Sequence, residues 1–244
     1  MTNLHSKDYI YGLKRGMPIA LGYIPVSFTF GLMAVSGGLP VWMAIFISVT
    51  NLTSAGQFAG TNLILSGAGF LEITLTTFII NLRYMLMSLS LTQRLDKKIK
   101  LPQRFMVGYG ITDEVFTVAS MEEGNLTFSY LIGLITGPVL GWTLGTALGA
   151  LICSALPQNL SNAMGIALYG MFIAIVLPVA KKSKPVTLIV LLSVVVVSIL
   201  KYTPVFSMVS SGFRVIIATI VGAGLGAWFF PIQEDDGDLE GEEE

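Results

Sequence analysis

The stretch TFSYLIGLITGPVLGWTLGTALGALIC, residues 127–153, contains no charged residue and is long enough to cross a lipid bilayer. A weaker run at 105–120 carries Asp113 and Glu114. The other long apolar runs lie near residues 16–35, 41–66, 70–92, 161–180, 185–200 and 209–230. The sequence therefore predicts an all-α fold, a polytopic transmembrane helical bundle in a lipid bilayer.

The composition also favours a membrane protein. Hydrophobic residues make up 53% of the 244 positions and charged residues only 12%, whereas about 25% charged residues is usual in soluble domains. Eight of the fifteen acidic residues lie at or after Glu234, so residues 231–244 are expected to form an acidic disordered C-terminal tail. The predicted domains before it are a cytoplasmic N-terminus over 1–15 and a transmembrane helical domain over 16–230.

Clusters of basic residues predict which loops face the cytoplasm, because such loops are enriched in lysine and arginine. Glu122 and Glu123 have no basic neighbour in the sequence and are assigned to an outside loop. Three apolar runs separate the first cluster from the second, and three separate the second from the third. Three full crossings would place consecutive basic clusters on opposite sides of the membrane. To keep all the clusters in the cytoplasm, each trio must contain one element that enters and leaves on the same side. The clusters are Lys7, Lys14 and Arg15; Arg94, Lys97, Lys98, Lys100 and Arg104; and Lys181, Lys182 and Lys184.

Two runs are predicted to be broken or re-entrant helices. The run at 41–66 has polar residues in its middle, and the run at 127–153 contains Gly137-Pro138 and further glycines. Irregular backbone at membrane depth requires protein or a water-filled cavity around it. The similar layout of the two trios predicts an internal repeat over 12–92 and 104–184. The alternative is that charge bias assigns the sides wrongly.

Arg83 is the most informative polar residue, because no other charge lies within ten residues of it. An arginine at this depth is costly and should face a cavity or a partner, and its guanidinium suits a carboxylate. Asn81, two residues earlier, favours a cavity. The alternative is an arginine whose long side chain reaches the interface.

Asp113 and Glu114 are candidates to hold a proton, a substrate ammonium group or Arg83. Neighbouring residues on a helix point about 100° apart, so the two are not expected to reach one site. A pair between Arg83 and one of these acids fits two roles, proton coupling or a salt bridge that only stabilises the bundle. The sequence leaves both open.

Gly56 and Gly60 have the spacing that lets helices approach closely. They would also permit a helix break, which would offer free N–H groups to an anionic ligand. The predicted substrate contacts are Asn51, Ser54, Gln57, Asn81 and Arg83.

The sequence offers little for other chemistry. His5 is the single histidine and Cys153 the single cysteine, which excludes a disulfide within the chain and a histidine pair for metal binding. The sequence contains no Walker loop, nucleophile motif or nucleic-acid patch. We therefore expect no enzyme activity, no metal or other cofactor and no nucleic-acid partner.

Five short motifs follow one another within residues 12–120. They are Gly16-Met17-Pro18, Phe28-Thr29-Phe30-Gly31, Ala55-Gly56-Gln57-Phe58-Ala59-Gly60, Asn81-Leu82-Arg83-Tyr84-Met85-Leu86-Met87-Ser88-Leu89-Ser90 and Thr112-Asp113-Glu114-Val115-Phe116. In this order they resemble the AzlC-type large subunit of branched-chain amino acid exporters. Many relatives are expected to have a histidine where this chain has Tyr84. If that histidine carries protons in relatives, Asp113 or Glu114 must do so here.

The resemblance implies export of leucine, isoleucine and valine, with methionine as a further substrate. We expect this export to be coupled to protons and to cross the plasma (inner) membrane of a prokaryote. The resemblance also implies a partner, a small AzlD-like membrane protein subunit. Two alternatives remain, a permease subunit driven by a separate ATPase and a membrane scaffold subunit without transport. The scaffold alternative predicts that changes at Arg83 or Asp113 alter complex formation rather than transport rate.

Overall fold

The computed structural model describes residues 2–153, 173, 176–178, 180–206 and 208–230. These residues are mainly helical and contain no strand, which confirms the all-α prediction. Among them, five helices are long and apolar enough to cross a membrane. Most of the predicted span at 161–180 and all of the predicted acidic tail lie outside the described residues.

The chain divides into two compact units, the first containing helices α1–α7 and the second containing α8 and α9. The helices with described bounds are α1 (Thr2–Ser36), α2 (Val41–Thr50), α3 (Ala55–Leu65), α4 (Phe70–Thr92), α5 (Leu101–Tyr109), α6 (Asp113–Ser120), α7 (Phe128–Cys153), α8 (Lys184–Tyr202) and α9 (Ser211–Phe229), with a 3-10 turn at Pro204–Phe206.

Helices α1 and α7 run parallel and touch backbone to backbone. A Cβ atom added to Gly133 would lie 2.1 Å from the carbonyl oxygen of Tyr9, and one added to Gly149 would lie 2.0 Å from that of Phe28. Residue numbers rise together along both helices, so both begin at the same end of the unit. Only glycine permits this approach, which maximises dispersion contacts where lipid supplies no hydrophobic driving force.

The prediction that residues 127–153 form a broken or re-entrant element is wrong, because α7 runs without interruption from Phe128 to Cys153. Pro138 lies within the helix and is fully buried. Proline is tolerated in membrane helices where neighbouring groups compensate for the lost backbone bond. The glycines that suggested a break are contact points with α1 instead. They are Gly137, Gly141, Gly145 and Gly149.

The break predicted within 41–66 is confirmed, since α2 ends at Thr50 and α3 begins at Ala55. Gly37, just after α1, lies so close to Leu65 at the end of α3 that an added Cβ would be 2.4 Å from its Cδ1 atom. The α2–α3 hairpin therefore starts and ends at the same end of the unit. It is a re-entrant element that turns back in the interior.

Helices α5 and α6 form a second hairpin, which enters from the other end. The Arg94 guanidinium, before α5, donates to the carbonyl oxygens of Ser120 at 2.7 Å and Gly124 at 3.1 Å, after α6. The backbone N–H of Leu126 donates to the carbonyl oxygen of Arg94 at 2.8 Å, just before α7 begins. The chain thus returns to the end at which α1 and α7 start, which we call the basic end.

Glu122 also lies at the basic end, in the loop before α7. Its carboxylate is 4.0 Å from Arg15 Nε and accepts hydrogen bonds from the Tyr11 and Tyr130 hydroxyls at 3.2 and 3.3 Å. The prediction that this loop lies opposite the first two basic clusters is therefore wrong. The basic partners of Glu122 are distant in sequence and close in space, so a local charge count missed them.

Each hairpin is followed by a continuous helix, α4 after the first and α7 after the second. Within 12–92 the order is continuous, broken, continuous, whereas 104–153 begins with the broken element. The rest of the second predicted repeat lies largely outside the described residues. A duplication with the boundaries 12–92 and 104–184 stays a prediction.

In the second unit, α8 and α9 pack through small residues of α9. A Cβ added to Gly222 would lie 2.6 Å from Ser193 Oγ, and one added to Gly226 would lie 2.6 Å from Ile189 Cδ1. Both helices are apolar on most of their surface, as expected of helices in contact with lipid.

Candidate functional site

The tips of the two hairpins meet in the interior of the first unit. Tyr109, the last residue of α5, donates its hydroxyl to the carbonyl oxygen of Val49 near the end of α2. Because the hairpins come from opposite ends, the first turns of α3 and α6 both lie at this meeting point. Helix N-termini carry partial positive charge and unpaired N–H groups, which favour anionic ligands.

Arg83 of α4 lies at the same level. At about 1.5 Å per residue, Arg83 is roughly 14 Å along the axis from the basic end of α4, near mid-membrane depth. Its Nη2 atom is 3.0 Å from Asp113 Oδ2 in the first turn of α6. The structure thus brings together the arginine and one of the two acids that the sequence offered as its partner.

Tyr84 links Arg83 to the other hairpin tip. The Arg83 guanidinium donates to the Tyr84 hydroxyl oxygen at 3.0 Å and lies 4.9 Å from the centre of its ring. The Tyr84 hydroxyl donates in turn to the carbonyl oxygen of Thr53 at 3.2 Å, in the break between α2 and α3. Helix α4 therefore contacts both breaks through two consecutive residues.

Asp113 and Glu114 face different partners, in line with their separation around the helix. Glu114 Oε2 accepts a hydrogen bond from the hydroxyl of Tyr23, a residue of α1 that is only 8% exposed. The same hydroxyl lies 2.7 Å from Thr112 Oγ1. Thr112 caps α6 by accepting from the N–H of Val115 at 3.3 Å. Glu114 is thus held by the Tyr23 hydroxyl, whereas Asp113 is held by a cation.

The glycines of α3 make close contacts with α4. An added Cβ would be 2.5 Å from Asn81 Oδ1 at Gly56 and 3.3 Å from Thr77 Oγ1 at Gly60. Both glycines lie within α3, directly after the break, and the chain turns at Ser54, whose φ is 46°. That they permit the break stays a prediction. Asn81 Oδ1 is buried and has no hydrogen-bond partner among the described residues. It is therefore an acceptor available to a ligand beside the first turn of α3.

Gln57 and Asn51 are engaged within the protein. Gln57 is 1% exposed, its Nε2 donates to Ser48 Oγ at 2.6 Å, and its Oε1 accepts from Trp142 Nε1 at 2.9 Å. Its amide therefore braces α3 against α2 and α7 and is not placed to contact a substrate directly. Asn51 Oδ1 accepts from the Thr53 hydroxyl at 2.7 Å and shapes the hairpin tip.

Sequence reasoning missed several residues that the structure brings to this site. The tyrosines among them could have been predicted from the sequence, because a tyrosine within an apolar span requires a partner for its hydroxyl. The carbonyl of Thr53 carries no signal in sequence, since any residue would supply it. The residues missed are Tyr23, Thr53, Thr112 and Trp142, together with the bridging role of Tyr84.

The site is open rather than sealed. The Arg83 and Asp113 side chains are 45% and 39% exposed in the isolated chain. Because neither charge would be stable against lipid at this depth, the exposed faces must line a crevice for water, solute or a partner protein. These helices belong to a polytopic membrane protein, and opposed broken helices around a charged pair are consistent with a role related to transport.

The comparisons with known proteins identify the family. The family model described as AzlC protein matches residues 18–156, more than half of the chain. The chain therefore belongs to the AzlC family, and a membrane role related to transport is consistent with both the family and the fold.

Relatives of the chain are named as membrane proteins. The chain is 30% identical over 179 residues to the inner membrane protein YgaZ of Escherichia coli, covering 70% of this chain and 73% of that protein. It is 33% identical over 169 residues to an uncharacterized membrane protein of Archaeoglobus fulgidus, covering 68% and 74%. No solved structure matches. An inner-membrane location fits the relationship to YgaZ.

Proposed function

We propose that this chain is the large subunit of a proton-coupled exporter of branched-chain amino acids, with methionine as a further substrate, and that it works with a small AzlD-like membrane protein. The observation that carries the proposal is the Arg83–Asp113 pair between the two hairpin tips. A zwitterionic amino acid carries one positive and one negative charge, as this pair does. Its carboxylate can therefore replace Asp113 as the partner of Arg83, and its ammonium group can replace Arg83 as the partner of Asp113.

In the proposed binding mode, the substrate enters the crevice and separates the pair. Its carboxylate takes the Arg83 guanidinium and the N–H groups of the first turn of α3, and its ammonium takes the Asp113 carboxylate. Asn81 Oδ1 supplies a further acceptor. Hydrogen bonds to charged groups contribute about 1.5–3 kcal/mol each, so the new contacts offset the loss of the internal ion pair.

An apolar groove supports a preference for aliphatic side chains. It lies between α5 and α7, has a volume of about 540 Å³ and is lined in part by Tyr109, the last residue of α5. A groove of this volume accommodates a leucine or methionine side chain with its charged end left at the hairpin tips. Its lining includes Phe105, Met106, Tyr109, Ile135 and Val139.

The exposed surface of α4 supports the need for a partner or lipid around the site. This helix buries little of its apolar surface within the chain. A second membrane subunit on this surface would cover α4 close to Arg83. The exposed large apolar residues of α4 are Phe70, Leu71, Phe78, Met85, Leu86 and Leu89.

The test follows leucine efflux from cells preloaded with a leucine-containing dipeptide. The cells contain this chain alone, the small subunit alone, both, or both with Arg83→Ala at matched membrane expression. We expect faster efflux only with both wild-type subunits, abolished by a protonophore and unaffected by ATP depletion at a maintained gradient. Unchanged efflux for leucine, isoleucine, valine and methionine would contradict the proposal, and dependence on ATP would favour the ATPase-driven alternative.

A further inference from the structure

We propose that Glu114 carries the exchanged proton, with Tyr23 and Thr112 as positioning residues, and that Asp113 remains ionised as the partner of Arg83. This assignment rests on the proposed function and divides the roles of two neighbouring acids. It follows from what each carboxyl group touches.

Asp113 is poorly suited to accept a proton while the site is empty. Its Oδ2 atom is 3.0 Å from the Arg83 guanidinium. Protonation would leave an unpaired arginine near mid-membrane depth, which is costly. Asp113 therefore serves as a fixed negative charge that the substrate ammonium can take over.

Glu114 can change its charge and keep its hydrogen bond to Tyr23. A tyrosine hydroxyl has one proton to donate and can also accept. When Glu114 is ionised, Tyr23 donates to Glu114 Oε2. When Glu114 is protonated, the carboxylic acid donates to the Tyr23 oxygen, and the Tyr23 hydroxyl turns its proton to Thr112 Oγ1, which lies 2.7 Å away. In both states Glu114 and Tyr23 stay hydrogen-bonded to each other.

The other groups around Glu114 do not compete for this role. The nearby titratable groups come from three helices. Helix α7 contributes no charged residue, and the only cation of the group is already paired with Asp113. The Glu114 residue is exposed in the isolated chain, so water in the crevice can deliver and remove the proton. The groups are Tyr23 of α1, Arg83 and Tyr84 of α4, and Asp113 of α6.

An infrared titration tests the assignment without any substrate. The full-length chain in detergent, with its small subunit, is titrated while the carbonyl stretch of protonated carboxyl groups is recorded. We expect a titrating band that is lost in Glu114→Gln and retained in Asp113→Asn. Tyr23→Phe should shift the frequency of that band, because the hydroxyl that is hydrogen-bonded to the Glu114 carboxyl group is removed. A band lost in Asp113→Asn and retained in Glu114→Gln would overturn the assignment, as would the absence of any such band.

A transport measurement in proteoliposomes separates coupling from binding. Glu114→Gln should lose leucine accumulation driven by a pH gradient and retain leucine counterflow, which needs no net proton movement. Glu114→Asp, which keeps the carboxyl group, should restore part of the gradient-driven transport and controls for folding. Gradient-driven accumulation that persists in Glu114→Gln overturns the assignment. Failure of the wild-type protein to exchange any of the four amino acids contradicts the proposed function instead, and the infrared result still decides on Glu114.

Discussion

Arg83 in the continuous helix α4 and Asp113 in the first turn of α6 form an ion pair with 3.0 Å between Nη2 and Oδ2. The pair joins a membrane-crossing helix to the tip of a re-entrant hairpin. Through Tyr84, the same arginine reaches the tip of the other hairpin at the carbonyl of Thr53. Separation of this ion pair would therefore affect both hairpins, which enter from opposite ends.

The opposed hairpins predict a specific pattern of labelling. On a Cys153→Ser background, Ser66→Cys should react with an impermeant maleimide on intact cells, because the α2–α3 hairpin opens away from the basic end. Lys97→Cys and Glu123→Cys should react only after permeabilisation, because we expect the basic end, with its lysine and arginine residues, to face the cytoplasm. All three positions are exposed in the structure.

The Glu123→Cys variant distinguishes an α5–α6 hairpin from a segment that crosses the membrane. Labelling of Glu123→Cys on intact cells, with Lys97→Cys protected, would mean that residues 101–120 cross the membrane. That result would contradict the α5–α6 hairpin and restore the outside loop expected from local charge. Lys97→Cys, on the other flank of the hairpin, is the matched control.

The contact between α1 and α7 predicts sharply different effects for two glycines of one helix. In Gly149→Ala the new Cβ would lie 2.0 Å from the carbonyl oxygen of Phe28, so the helices must separate. We expect a loss of roughly 1–3 kcal/mol in the free energy of unfolding, measured by thermal unfolding in detergent. In Gly137→Ala the nearest atom is 3.4 Å away, an ordinary contact, and stability should be unchanged. Equal effects at both positions would argue against the backbone contact.

The buried contacts of Gln57 predict that replacing this residue lowers the stability of the protein without lowering its affinity for substrate. Gln57→Leu removes the acceptor for the buried indole N–H of Trp142 and the donor to Ser48. A buried polar group left unsatisfied costs about 1–3 kcal/mol, so the melting temperature should fall while leucine affinity of the folded protein stays the same. Asn62→Leu, at an exposed position of the same helix, is the control and should change neither. A weaker leucine affinity at an unchanged melting temperature would make Gln57 a direct substrate contact.

Much of the fold is predictable from the sequence, because apolar runs and polar interruptions are local properties. The break at residues 51–54 follows from polar residues at mid-membrane depth, and the isolated charge of Arg83 marks the site. The role of the α7 glycines, in contrast, depends on a segment that is distant in the sequence. A glycine stripe permits either a bend or a close neighbour, and only the position of α1 shows which occurs.

The pairing at the site also depends on three-dimensional packing. Helical geometry predicts that Asp113 and Glu114 diverge, but it does not say which one meets Arg83. The answer depends on where the α5–α6 hairpin turns, and the sequence-based reading placed the re-entrant element at 127–153 instead. The carbonyl of Thr53 and the buried hydroxyl of Tyr23 complete the site through contacts between distant segments.

The most direct test of the account is leucine transport by the charge-reversed double variant Arg83→Asp/Asp113→Arg, compared with each single variant and with wild type in proteoliposomes containing the small subunit. An ion pair that only stabilises the bundle would work in either order. We predict that the double variant recovers the thermal stability lost in the single variants but shows no leucine counterflow, because the guanidinium no longer lies on α4 beside the first turn of α3. Recovery of counterflow together with stability would contradict a substrate site at Arg83.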